Sequence, residues 1–332
     1  MAIGGKLFGV NNNSTSPPLP ITLGSFAFNH CDDLPDLPKR DLVDLLGALS
    51  RAARRIAAET GDVRKHMADA PDEDAAINPT GDRVKHLDIA SNTILREECT
   101  NVGSVHTIAS EEEAESECLN PAGKYALVYD PVDGSSNLGT GITMGSIIGA
   151  YRADAQHPAG GLPMAGRGLV LACYVIYGLV TQLLFCTAQG AHLFAYDVTI
   201  GDFRLVKRDM RMVSGAIYSV NDANLPEWSP RARAWLGKLR DRKYSMRYVG
   251  SLVVDFHRNL LQGGVFAYPA TSSKPHGKLR LVYELAPLAF IAEVCGGMAI
   301  NDNAEPILDI SPEGLHHTTG AYIGSKTDLE LF

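Results

Sequence analysis

The 332-residue chain is 45% hydrophobic and 20% charged, with a net charge of −8 and an isoelectric point near 5.7. That balance supplies a large core but no basic face, which argues against a nucleic-acid partner, and its longest apolar runs are far too short to span a membrane. A chain of this length is expected to fold as two closely packed lobes rather than one.

Residues 1–20 are rich in Gly, Asn, Ser and Pro and lack an apolar h-region, so they read as a disordered arm rather than a secretory signal. Leu42, Leu45, Leu46, Leu49, Ala53 and Ile56 recur at helical spacing and predict a helix over 39–60, with Asp36 as N-cap and Pro38 just inside the start. Residues 62–82 turn polar and acidic around Pro71 and Pro79, the composition of a functional lid or a link. A second helix is expected over 83–98, with Val84, Leu87, Ile94 and Leu95 facing inward. A strand over 105–109 leads into the acidic run Glu111-Glu112-Glu113, and a short apolar strand over 125–129 runs into Asp130–Asn137. Further strands are expected over 142–151, 169–177, 179–186, 192–196 and 203–206, with a Gly/Pro-rich loop over 153–168. Near residue 212 the pattern changes to strands at 216–220, 265–268 and 321–324 alternating with helices at 230–240, 252–261 and 287–295, and a short tail helix closes the chain. The class is α/β (α+β), divided into 1–20, 21–210 and 211–332. Six scattered cysteines without a CxxC pair imply a reducing, cytoplasmic setting, and Cys173, Cys186 and Cys295 read as small core residues.

The chemistry centres on Asp130-Pro131-Val132-Asp133-Gly134-Ser135-Ser136-Asn137. Two carboxylates across a Pro turn can converge on one hard cation, and the Gly-Ser-Ser that follows bares backbone N–H groups to whatever the cation holds. Acids placed beside an apolar strand are costly without a cation to neutralise them, and carboxylates without His or Cys partners select Mg²⁺ or Mn²⁺ over zinc. Alone, Asp88 on its helix and the Glu111-Glu112 pair read as solvated faces. Strand alternation over 278–284 sends Lys278, Arg280, Val282 and Glu284 to one side, where Lys278 can meet a phosphate and Glu284 the cation cluster.

Asp82–Asp88, Ser110-Glu111-Glu112, Asp130–Ser136 and Gly277–Glu284 followed by Pro287-Leu288-Ala289 together resemble the fructose-1,6-bisphosphatase family, from about Ile21 onward. The DPxDGS turn alone resembles the wider lithium-sensitive, metal-dependent phosphatase superfamily; the GKLRLVYExxPLA segment narrows it to sugar bisphosphatases. The resemblance implies a layered α-β-α-β-α sandwich with an N-terminal metal and regulatory domain and a C-terminal sugar-phosphate domain. It implies two or three Mg²⁺ ions on Glu111, Glu112, Asp130, Asp133, Glu284 and the carbonyl of Val132. Backbone N–H groups of Asp133, Gly134 and Ser135 would take the C1 phosphate, Asp88 and Glu112 would activate water, and Asp82 would assist the leaving alkoxide. Asn221, Asn224, Arg247, Tyr248, Tyr268 and Lys278 would seat the remote phosphate, with Arg247 contributed by a neighbouring subunit of a homodimer or homotetramer.

Asn224 stands where many fructose-1,6-bisphosphatases carry a Tyr, and Tyr322–Lys326 resembles sedoheptulose-1,7-bisphosphatase, so a seven-carbon substrate is the alternative to the six-carbon one. Lys124, Tyr125 and Arg152 match positions that bind AMP in inhibited members, but Leu37–Asp41 lacks the Gly/Thr-rich turn that grips the nucleotide phosphate. The cysteine-bearing insertion of light-regulated plastid members is absent. A catalytically retired, metabolite-binding protein is the alternative from another class, and the intact set of six acids, which repel one another, argues against it. An inositol phosphatase is disfavoured by the basic remote pocket.

Overall fold

The computed structural model describes residues 20–61, 77–79, 81, 85–157 and 159–332. The expected arm, the acidic stretch apart from its last few residues, Asp82 and the first residues of the second helix lie outside them.

Helix α1 (Leu23–His30), which periodicity missed, opens on Thr22, whose side chain accepts from the Ser25 N–H. Helix α2 (Lys39–Thr60) has the expected span, but Asp36 does not cap it. Pro38 stands at the N-cap, and Asp33 accepts the Lys39 N–H at 2.7 Å, so a carboxylate three residues further back does that work. Helix α3 (His86–Thr100) buries Leu87, Ile94 and Leu95 as expected.

The large sheet contains β1 (Val105–Ser110), β2 (Glu117–Cys118), β3 (Tyr125–Asp133), β4 (Met144–Arg152), β5 (Leu169–Tyr177), β6 (Gln182–Thr187), β7 (Gly190–Asp197) and β8 (Asp202–Lys207), in the order β2-β1-β3-β4-β5-β6-β7-β8. Pairing is antiparallel except for β1 with β3. The strand expected from 179 begins instead at Gln182, because Gly178–Thr181 forms the hairpin tip and Leu179 is fully exposed there.

Period-two alternation sorts β3 between two cores. Tyr125, Leu127 and Tyr129 pack with α1–α3, while Ala126 and Val128 face the other way. On that second face lie α5 (Leu252–Gln262) and α6 (Ala286–Val294), reached after β9 (Ile217–Ser219), α4 (Pro230–Asp241) and β10 (Ser245–Met246). The smaller sheet, completed by β11 (Val265–Tyr268), β13 (Met298–Ile300) and β15 (Ala321–Gly324), runs β10-β9-β11-β15-β13. One of its faces joins the α5/α6 core through Phe266, Ala299 and Ile323; the other buries Val265, Ala267 and Tyr322 against Trp235 and Leu239 of α4. The layers are therefore helix, sheet, helix, sheet, helix, the sandwich expected from the sequence. A two-stranded pair, β12 (Leu279–Arg280) with β14 (Thr318–Thr319), stands apart.

The strand expected over 278–284 is overturned beyond Arg280. Leu281–Leu285 forms a π-helical turn that runs directly into α6, and all five residues are buried. A run buried on every side cannot be assigned by period alone. All six cysteines are unpaired, and among the described residues no helix is long and apolar enough to cross a membrane.

Leu288 is fully buried in the helical layer shared by both sheets. Leu288→Ala is expected to cost about 2–5 kcal/mol, read as a lowered midpoint in equilibrium urea unfolding.

Candidate active site

Parallel pairing brings the carboxyl ends of β1 and β3 side by side, and the acids follow from that. Glu111, just past β1, donates its N–H to the Tyr129 carbonyl at 3.1 Å, which sets it beside Asp130. In a regular strand, Asp130 and Asp133 would face opposite sides. Here Asp130 pairs with Ile147 and Asp133 with Gly145, so three residue steps oppose two and the strand carries a β-bulge. The extra residue returns both carboxylates to one cleft. Pro131 sits inside the bulge, where its missing N–H costs no ladder bond, and its carbonyl accepts from Ser146 Oγ at 2.6 Å. The expected Pro turn is thus a bulged continuation of the strand.

Glu284 arrives from the π turn ahead of α6, a distortion frequent at functional sites. One carboxylate oxygen from each of Glu111, Asp130 and Glu284 lies within 4.8 Å of the others, and all three residues are buried. Burial lifts their carboxyl pKa values, and neighbouring acids reinforce it: Glu111 to about 7 with Glu112 and Asp133 adding to the rise, Glu284 to about 8 and Asp130 well above the usual carboxylate range with Glu111 adding to theirs. Arg280, itself 5% exposed, offsets part of this charge, with Nη2 3.2 Å from Glu111 Oε1 and Nη1 3.8 Å from Glu284 Oε1. The Arg280 N–H also donates to Glu284 Oε2. All-oxygen, carboxylate-rich donors at this spacing fit a hard divalent cation.

The other expected ligands line the same cleft but are held differently. Asp133 Oδ2 accepts from Ser251 Oγ at 2.6 Å and from the Val253 N–H at 2.7 Å. Glu112 faces the Asn78 amide. Val132 packs with Leu87 and Met144. Asp88, lifted to about 6 chiefly by burial, accepts the Lys85 N–H at 2.8 Å.

Gly134, at φ +85°, turns the chain into a short 3₁₀ segment, Ser135–Asn137. A side chain there would be strained, and its Cβ would stand 2.5 Å from the Ser251 Cβ. Among the described residues none accepts from the N–H groups of Gly134, Ser135 or Ser136, so they stay available to an anion beside the acids. Lys85 Nζ donates to the Ser135 carbonyl at 2.6 Å and adds a positive charge to the same wall.

The cleft encloses about 400 Å³ and adjoins a second chamber of about 250 Å³, the two sharing Tyr268 and Lys278 as walls. Asn221 and Asn224 line the second chamber and Tyr248 the first. Arg247 lines neither: it is exposed and donates to the Met246 carbonyl. Lys124, Tyr125 and Arg152 gather elsewhere. Asp41 accepts from Lys124 Nζ and Tyr125 Oη, both at 2.9 Å, and Arg152 lies over the Tyr125 ring. Burial pushes the Asp41 carboxyl up, but these donors outweigh it and hold its pKa below the usual range.

Sequence reasoning left Arg280, Lys85, Asn78 and Ser251 without roles. Arg280 was legible as the residue alternating with Lys278 and Glu284; the other three carried no local signal.

A layered α/β sandwich with clustered oxygen donors and open N–H groups at the carboxyl ends of β1 and β3 suits a phosphatase that depends on divalent cations. Comparisons with known proteins narrow it. Residues 21–208 match the family described as the fructose-1-6-bisphosphatase N-terminal domain, and 212–332 match its C-terminal domain. A class 1 fructose-1,6-bisphosphatase of Synechococcus elongatus is 39% identical over 300 residues, covering 88% of this chain and 87% of its own. The fructose-1,6-bisphosphatase of Kluyveromyces lactis is 36% identical over 277 residues, covering 77% and 78%. The crystal structure of Leishmania major fructose-1,6-bisphosphatase in holo form superposes with a TM-score of 0.86 at 33% identity, covering 95% of this chain and 98% of its own. The chain belongs to the fructose-1,6-bisphosphatase family.

Because Glu111 and Glu284 hold their protons more tightly when folded than the usual value near 4.3 allows in the unfolded chain, raising the pH through that interval favours the unfolded state. Metal-free protein is expected to lose several degrees of melting temperature between about pH 5.5 and about pH 8, and a divalent cation to flatten that slope. Thermal melts in chelator and in excess Mg²⁺ measure both.

Proposed function

We propose that this protein hydrolyses the C1 phosphate of fructose 1,6-bisphosphate, releasing fructose 6-phosphate and inorganic phosphate. The observation that carries the reading is the meeting of Glu111, Asp130 and Glu284 with the Gly134–Ser136 N–H groups in one cleft that opens into a second chamber.

Glu111, Glu112, Asp130, Asp133, Glu284 and the Val132 carbonyl would hold two to three Mg²⁺ ions per subunit, or Mn²⁺ in their place. Such cations, when bound, lower the pKa of water and neutralise charge on the attacking and departing oxygens. The chain's own residues do the rest. N–H groups of Asp133, Gly134 and Ser135 orient the C1 phosphate, assisted by the positive charge of Lys85. Asp88 and Glu112 hold the attacking water and take its proton; a carboxyl with a pKa of about 6 is suited to this near neutral pH. Asp82, outside the described residues, keeps its expected role at the leaving oxygen.

Asn221, Asn224, Tyr248, Tyr268 and Lys278 would seat the remote phosphate, and binding energy gained there positions the reacting one. The exposure of Arg247 supports its presentation to a neighbouring subunit in a homodimer or homotetramer. At Lys124 and Tyr125 an internal carboxylate, Asp41, already occupies the donors, which supports a site that needs no nucleotide phosphate. Six unpaired cysteines support a cytoplasmic setting.

The alternative reading is a seven-carbon sugar bisphosphate, alone or alongside the six-carbon one, and the place of Asn224 in the wall of the second chamber, where the resemblance leads one to expect the larger Tyr, supports it. Phosphate release is expected to require Mg²⁺ and to fall by about 10²–10⁴-fold in Glu112→Gln, measured as kcat; unchanged turnover would remove Glu112 from the proton transfer. Asn224→Tyr is expected to lower kcat/KM for sedoheptulose 1,7-bisphosphate about tenfold more than for fructose 1,6-bisphosphate, in parallel assays.

A further inference from the structure

The segment between β10 and α5 touches both ends of the cleft. At one end Ser251, 1% exposed, donates to Asp133 Oδ2, and the first turn of α5 adds the Val253 N–H. At the other end Tyr248 and Gly250 line the cleft. What shapes the segment is a third residue that reaches neither end: Asp255, with no solvent exposure at all. Its carboxylate accepts the N–H of Val249 at 3.1 and 3.0 Å and that of Gly250 at 3.2 Å, folding residues 249–251 back over the start of α5. Gly250 takes φ +85° to complete that fold.

Asp255 also holds Arg258 Nη2 at 2.6 Å, and the same nitrogen donates to the Arg247 carbonyl at 2.8 Å and to Ser219 Oγ at 2.7 Å. Ser219 ends β9, two residues before Asn221 in the second chamber. A fully buried carboxylate needs such donors to stay charged, and here every one of them belongs to a segment that carries a cleft residue.

We infer that Asp255 is a positioning residue for both ends of the substrate cleft, and that Ser251 is the arm through which it orients Asp133. Asp255 fixes Tyr248 and Asn221 through Val249, Gly250, Arg258 and Ser219; Ser251 serves the Asp133 end alone. The inference rests on the bisphosphatase reading for the identity of the two ends.

Two variants of the full chain separate the roles. Ser251→Ala is expected to raise the Mg²⁺ concentration for half-maximal thermal stabilisation about tenfold and to lower kcat, with the affinity for fructose 6-phosphate within about twofold of the parent, measured by calorimetry. Ser251→Cys, which keeps a weak donor of similar size, should fall between. Asp255→Asn is expected to move both readouts, weakening fructose 6-phosphate about tenfold as well as raising the Mg²⁺ midpoint. An Asp255→Asn variant that moves only one readout, or neither, overturns the inference, as does an unchanged Mg²⁺ midpoint in Ser251→Ala. Circular dichroism and urea midpoints confirm that the variants fold. Should the parent neither release phosphate nor bind fructose 6-phosphate, the bisphosphatase reading fails. The Mg²⁺ midpoints of both variants then still decide whether Ser251 and Asp255 orient Asp133.

Discussion

Three buried carboxylates within 4.8 Å of one another are an unstable arrangement in any protein that does not bring a cation to them. Burial, with repulsion from neighbouring acids, opposes ionisation, which is why Glu111, Asp130 and Glu284 all carry raised pKa values. Arg280 supplies internal positive charge to all three, with its guanidinium buried beside Glu111 and Glu284. The acids therefore hold their protons tightly, a divalent cation would have to displace those protons to bind, and the surroundings keep the three groups together.

The fold supplies the holding. Three irregularities converge on the cluster: the one parallel pair in an otherwise antiparallel sheet, a bulge at the end of β3, and a π turn at the head of α6. The parallel pair puts two strand ends together, the bulge turns a second carboxylate onto the cleft, and the π turn brings Glu284 within reach of Arg280. Each costs some regular hydrogen bonding, and each is buttressed by the helical layer that both sheets share. That shared layer also sets the distance between the acidic cluster at the end of the large sheet and the Asn221 chamber at the end of the small one.

Function divides along the same line. The acids and open N–H groups suit a reaction that many phosphate esters could undergo, while on the proposed reading the chamber beyond Tyr268 and Lys278 would select which ester fits. Asp41 shows the economy of the design at a third place: a carboxylate of α2 takes the donors of Lys124 and Tyr125, converting a basic cluster into a tie between helix and sheet.

Much of this was legible in the chain. Leu42 to Ile56 marks α2 by its period, the apolar run Tyr125–Tyr129 marks a buried strand, and the acids with Gly134-Ser135-Ser136 mark the chemistry, because these signals are local and each element must satisfy its own backbone and bury its own face. The buried segment 281–285 was not legible in the same way: its residues are apolar or paired on every side, so nothing in their order separates a strand from a π turn. Nor could spacing alone show that Asp130 and Asp133 share a face, since that follows from one extra residue measured against β4. Ser251 meets Asp133 and Arg280 meets Glu111 across more than a hundred positions, and the contacts of Asp255 depend on turns that only packing creates. Local order determined which groups carry the chemistry; the tertiary structure decided how those groups are aimed, because aiming requires neighbours that the chain reaches only once it has folded.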